Sequence, residues 1–142
     1  MNPQRLVVLI SGNGSNLQAI LDACATRQLN AQIVAVVSNK ADAYGLERAR
    51  RADVATEVKL KYKAQDRRDY DRELADLAAR YQPDYIILAG WMRLLSLTFL
   101  SRFSGRVINL HPALPGTFAG THAIERAFEA FQAGQISSSG VM

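Results

Sequence analysis

The sequence predicts an α/β fold, a doubly wound, mostly parallel sheet with helices on both faces. Three observations carry this. Five short apolar runs, several of them β-branched and almost free of polar interruptions, have the character of strands covered on both faces. Stripes of helical period lie between them. The two patterns alternate along the chain, an order that calls for right-handed crossovers between parallel neighbours.

The first strand, Leu6 to Ile10, runs into Ser11-Gly12-Asn13-Gly14-Ser15-Asn16. Leu17, Ile20, Leu21 and Cys24 then fall at i, i+3, i+4 and i+7 of a helix, and Ser15 with Gln18 reads as a capping box at its start. Ile33 to Ser38 and Val54 to Val58 are the next two strands. Tyr70, Leu74, Leu77, Ala78 and Tyr81 trace a second helical stripe, which Pro83 stops. Tyr85 to Ala89 and Val107 to Leu110 are the fourth and fifth strands. A last helical pattern, Ile124, Phe128 and Phe131, ends near Gly134. With no internal repeat or linker, residues 1–142 are expected to form a single domain, and a chain of about this length buries roughly 68 to 70 percent of its unfolded surface.

Composition narrows the class. At 49% hydrophobic and 21% charged residues, neither a disordered nor a fibrous protein is indicated. The opening apolar run is too short for a signal sequence or a membrane span, so the expected location is cytoplasmic, with no membrane partner. The single cysteine, Cys24, cannot form an internal disulfide and reads as a core residue. The net charge of +4 favours anionic ligands without choosing among them. The densest basic stretch is Lys59, Lys61, Lys63, Arg67 and Arg68, with Tyr62 between. It reads as a solvated edge rather than a nucleic-acid patch, since no zinc-ligand spacing or RNA-binding aromatic signature accompanies it.

The loop Ser11 to Asn16 joins a strand directly to a helix, and that makes an anion site. Glycines let the backbone approach, free N–H groups and the helix dipole favour negative charge, and Ser15 and Asn16 add donors. The loop lacks the G-x-G-x-x-G spacing and a Walker lysine, so a single phosphate fits better than a dinucleotide or a nucleoside triphosphate. A tight turn needing glycine only for its backbone angles explains the same residues about half the time. Its place at a strand's carboxyl end, where ligands of open parallel sheets gather, shifts the balance toward a site.

Asn109 and His111 stand at i and i+2 at the end of the last strand, so their side chains should address one site. An imidazole donates a proton near neutral pH, and a carboxamide holds a developing oxyanion. Together these are the equipment of acyl transfer, and no metal is required. The bland alternative is a satisfied core histidine beside an asparagine at a strand edge. The other histidine, His122, reads as a loop residue. The stretch Ala89-Gly90-Trp91-Met92-Arg93-Leu94-Leu95-Ser96 could wall a flat heteroaromatic ligand. Core packing of Trp91, Met92 and Leu95, with Arg93 in solvent, accounts for its residue types equally well.

In order along the chain, Ser11-Gly12-Asn13-Gly14-Ser15-Asn16, Ser38-Asn39-Lys40, Ala89 to Ser96 and Asn109-Leu110-His111-Pro112 resemble the folate-dependent formyltransferases of the glycinamide ribonucleotide type. The resemblance runs over essentially the whole chain. It implies transfer of a formyl group from 10-formyltetrahydrofolate, as co-substrate, to the amine of glycinamide ribonucleotide in purine synthesis. By the same resemblance the substrate phosphate falls to Gly14, Ser15 and Asn16. Folate contacts fall to Arg67, Met92, Arg93, Leu94 and Leu95, with Asn109 shared between folate and reaction centre, and His111 takes the proton-donor role. The implied mechanism is direct attack of the amine on the formyl carbon, with Asn109 and protonated His111 stabilising the oxyanion. A monomer or homodimer is expected.

Two departures stand out. The commonest family form follows the histidine with Pro-Ser-Leu-Leu-Pro, where this chain has Pro112-Ala113-Leu114-Pro115-Gly116. The chain's last residues, Ser139-Gly140-Val141, read as the entry to a further strand; the family's third catalytic residue is an aspartate a few residues beyond it, and the chain ends at Met142 before reaching it. A C-terminally incomplete domain is therefore expected, and a polypeptide ending here should be nearly inactive. Methionyl-tRNA formyltransferase and formyltetrahydrofolate deformylase use the same Asn, His and Asp set but suit the N-terminal loop and the chain length less well. A non-catalytic phosphate- or nucleotide-binding α/β module is the alternative from another class, and a nucleic-acid binder stands third.

Overall fold

A computed structural model describes residues 2–110, so His111 and the expected helix around Phe128 lie outside the described residues. The elements are β1 (Gln4–Ile10), α1 (Ser15–Ala25), β2 (Ala31–Ser38), α2 (Tyr44–Arg51), β3 (Thr56–Val58), α3 (Arg67–Ala79), β4 (Tyr85–Ala89), α4 (Leu97–Leu100) with a following 3-10 turn (Ser101–Phe103), and β5 (Val107–Leu110). The five strands pair in parallel in the order β3-β2-β1-β4-β5. Strand order reverses between β1 and β4, and in open sheets of this kind the crevice at the reversal receives the ligand.

The alternating side chains of β1 show why both faces must be covered. Leu6, Val8 and Ile10 enter one core with Leu17, Ile20, Leu46 and Ala49, from α1 and α2. Val7 and Leu9 enter a second core with Tyr70, Leu74, Ala78 and Phe99, from α3 and α4. Each fully buried valine, leucine or isoleucine among them contributes about 1.5–3 kcal/mol. A register shift between Leu6 and Val7 skips Val34 of β2 yet leaves both faces apolar. Cys24 is half-buried against the first core, and burial pushes its thiol up to about 11, so it stays protonated at neutral pH.

The expected strands are all present, with β1 and β2 starting two residues earlier and β3 two residues later than the apolar runs. Three details differ. Helix α2 was not signalled, because its buried side is only Gly45, Leu46 and Ala49 among charged neighbours. The Ser15–Gln18 capping box does not form. Gly14 occupies the N-cap in the left-handed region (φ 83°), Ser15 is already helical, and the Gln18 amide donates to Asp22 Oδ1 at 3.0 Å. Helix α3 ends at Ala79, ahead of Pro83. Tyr81 thus leaves the helix and donates its hydroxyl to Glu57, while Gln82 turns the chain at φ 51°. Among the described residues no helix is long and apolar enough to cross a membrane.

Candidate functional site

The loop after β1 is shaped by close backbone packing. The first helical bond of α1 runs from Gln18 N to Gly14 O at 2.8 Å, so the amides of Ser15, Asn16 and Leu17 precede the helical ladder. No acidic side chain occupies that first turn. Ser15 is exposed and Asn16 half-buried. The N-terminus of α2 presses against this loop, with Gly45 N donating to Gly12 O at 3.0 Å. A Cβ on Gly14 would sit 2.7 Å from the Gly45 Cα, and one on Gly45 would overlap the Ile10 side chain. Glycine is thus required twice over, by conformation at Gly14 and by space at both positions.

One turn along α2, Arg48 grips the loop. Its Nε donates to Asn13 O at 2.8 Å, one Nη to Asn13 Oδ1 at 2.7 Å and the other to Gln18 Oε1 at 3.3 Å. Its guanidinium also lies 5.0 Å from the centre of the Tyr44 ring. Sequence reading missed both Gly45 and Arg48. Their partners lie about thirty residues away, and nothing local marks them.

Across the crevice, the residues after β4 form a braced wall. Met92 N donates to Ser11 Oγ at 2.9 Å, which ties the wall to the end of β1. At its far end Ser96 N donates to Asp71 Oδ2 at 2.7 Å, and the Ser96 hydroxyl donates to the same oxygen. Asp71 is only 1% exposed. The Arg93 guanidinium stacks 5.0 Å from the centre of the buried Tyr70 ring, whose hydroxyl donates to Lys59 O at 2.6 Å. Burial pushes the Tyr70 phenol up to about 12, with Arg93 pulling against that and Asp71 adding to it.

The core-packing reading of this stretch holds only in part. Trp91 and Leu95 pack on the second core, as core residues would, but Met92 and Leu94 are 77% and 79% exposed and Arg93 is stacked rather than solvated. Among the described residues three buried polar atoms at this end of the sheet have no hydrogen-bond partner: Arg93 Nε, Trp91 Nε1 and Asn39 Oδ1. Asn39 follows β2, where the Ser38 hydroxyl accepts from Lys40 N and donates to Lys40 O.

Arg67 opens α3 and is exposed; three and four residues on, Tyr70 and Asp71 share its side of the helix. Asn109 sits half-buried on β5, opposite Leu88 in register. Leu88 and Val107 pack on the second core, which places Asn109 on the α3 side of the sheet together with the wall. The expected alignment of His111 with Asn109 falls outside the described residues. The basic stretch is the approach from β3 to α3. Lys59 pairs with Glu73 and, mainly by that hydrogen bond, holds its carboxyl below the ordinary range, while the Asp66 carboxylate caps α3 by accepting from Arg68 N.

Comparison with known proteins identifies what shares this arrangement. The family model described as formyl transferase matches residues 4–141. A phosphoribosylglycinamide formyltransferase of Escherichia coli K12 is 51% identical over 124 residues, covering 87% of this chain and 58% of that protein. One from Dictyostelium discoideum is 50% identical, covering 96% and 73%. The crystal structure of glycinamide ribonucleotide transformylase 1 from Symbiobacterium toebii superposes with a TM-score of 0.76 at 41% identity, covering 94% of this chain and 61% of that one. The chain thus spans about three-fifths of the length of the E. coli relative and of that solved structure.

Proposed function

From the premise that this chain belongs to the formyl transferase family, we propose that the protein transfers a formyl group from 10-formyltetrahydrofolate to the amine of glycinamide ribonucleotide in purine biosynthesis. The observation that carries this reading is the half-identity to phosphoribosylglycinamide formyltransferases over nearly the whole chain. These relatives favour neither the tRNA and deformylase alternatives nor a non-catalytic module.

The residues divide the work across the crevice. Gly14, Ser15 and Asn16 receive the substrate phosphate at the start of α1, where first-turn amides and a glycine-lined loop favour an anion. The opposite wall suits a flat heteroaromatic co-substrate. Met92 and Leu94 offer exposed apolar surface, Arg93 Nε and Trp91 Nε1 are donors without acceptors among the described residues, and Leu95 backs them. Arg67, on the same side of α3, is suited to a carboxylate farther along that ligand. When bound, the folate supplies an electrophilic formyl carbon.

Asn109, half-buried at the end of β5 on the wall's side of the sheet, is suited to donate its amide N–H to the formyl oxygen as negative charge grows there. Protonated His111 gives the second donor and a proton for the departing nitrogen. Holding both substrates in one crevice supplies much of the remaining acceleration. No step in this account calls for a metal. The protein is proposed to work in the cytoplasm, as a monomer or homodimer, on small molecules rather than nucleic acid.

The test is a mass-resolved formyl-transfer assay on the product of the complete reading frame, with glycinamide ribonucleotide, initiator methionyl-tRNA and water as competing acceptors. Glycinamide ribonucleotide should take the label. His111→Ala should lower kcat by about 10²- to 10⁴-fold with little change in nucleotide affinity, and unchanged turnover would remove His111 from the mechanism.

A further inference from the structure

We propose that Arg48 is a positioning residue, the part of α2 that holds Gly12–Asn16 in its phosphate-receiving form. The inference rests on the reading of that loop as the substrate's phosphate site. The Arg48 guanidinium binds the loop at two atoms of one residue, Asn13 O at 2.8 Å and Asn13 Oδ1 at 2.7 Å, and the first turn of α1 through Gln18 at 3.3 Å. All three of its nitrogens are thereby engaged, so its part is to set the loop, acting through Asn13 on the residues that follow. The contact at Gly14 and Gly45 explains why the hold is needed. A Cβ on Gly14 would strike the Gly45 backbone and one on Gly45 the Ile10 side chain, so the two segments are closely fitted and a shift of Asn13 would disturb that fit.

Two kinds of action are separable. A distant positive charge would attract the phosphate whatever its shape, whereas a positioning residue depends on the planar fork that only arginine presents. Lysine retains the charge and loses the fork. Arg51, on the same helix, carries the same charge, is exposed, and among the described residues pairs with Glu47 and the face of Tyr44.

The experiment compares Arg48→Lys, Arg48→Met and Arg51→Met in the product of the complete reading frame. Both Arg48 variants should raise KM for glycinamide ribonucleotide about tenfold, the loss expected from a charge-assisted bond. Both kcat and the folate KM should stay within about twofold, and Arg51→Met should match the wild type. Amide hydrogen exchange of residues 12–17 should quicken in both Arg48 variants while the strands remain protected. Full rescue by lysine, an equal rise in both KM values, or unchanged exchange over residues 12–17 would overturn the proposal. Quickened exchange in a protein whose wild type formylates no glycinamide ribonucleotide would sustain Arg48's hold on the loop and overturn the substrate reading instead.

Discussion

The two sides of the crevice are built by different means. On the α1 and α2 side, the loop Ser11–Asn16 is set by close backbone packing, glycine against glycine, with an arginine fork on the main-chain carbonyl and side chain of Asn13. On the α3 side, residues 91–96 are set by side chains. A buried carboxylate holds Ser96, a buried phenol ring carries Arg93, and Met92 and Leu94 are left facing outward. The contrast follows from the ligands proposed for each side. A phosphate is small and identical in every substrate molecule, so rigid amides suffice, whereas a large flat ring needs apolar area and a few directed donors.

If the two sides are independent in this way, substitutions should divide cleanly between the two substrates. The largest effect should come from Gly14→Ala. The left-handed backbone and the approach to Gly45 together cost about 2–4 kcal/mol. Calorimetry should then show nucleotide binding lost and folate binding kept; loss of both would erase the division. Asp71→Ala leaves two Ser96 donors without their acceptor, at about 1–3 kcal/mol of stability. Thermal unfolding should fall accordingly, and the KM for folate should rise more than that for the nucleotide. Met92→Ser combined with Leu94→Ser touches exposed groups, so stability should move by less than about 0.5 kcal/mol while folate KM rises roughly tenfold. A wall that binds nothing would show no change in KM.

The smallest effect concerns pH and belongs to neither substrate. Burial raises the Cys24 thiol in the folded protein to about 11, from 9.0. The folded state therefore keeps this proton longer than the unfolded chain, and the associated stability is intact below pH 9 and lost as pH climbs toward 11. Cys24→Ala should flatten that alkaline decline in melting temperature while leaving both KM values alone. An unchanged slope would assign the decline to other groups, Tyr70 among them, whose phenol is raised by the same cause.

The fold was legible because its determinants are local. Runs such as Leu6–Ile10 and Tyr85–Ala89 carry their strand character in consecutive residues, and the stripe through Tyr70, Leu74 and Ala78 carries that of α3. Where the signal thinned, the reading failed. Gly45, Leu46 and Ala49 are too few and too small to announce α2, and the Ser15–Gln18 pattern yielded to a glycine already positioned to cap. At the candidate site the loop and Asn109 could be picked out by residue type and place. The bonds that hold the site, Arg48 to Asn13 and Ser96 to Asp71, join residues 35 and 25 apart and become visible only in three dimensions.

The touching glycines have one more consequence. With no side chain between them, Gly14 and Gly45 transmit displacement as two flat faces of a joint would, without slack. The segment 39–43, which sets where α2 begins, therefore acts as a spacer for the anion loop. One residue inserted or deleted there would be felt as misalignment at Ser15 and Asn16, although no residue of the loop itself had changed. The length of that short connector belongs to the proposed phosphate site as much as the chemistry of the loop does.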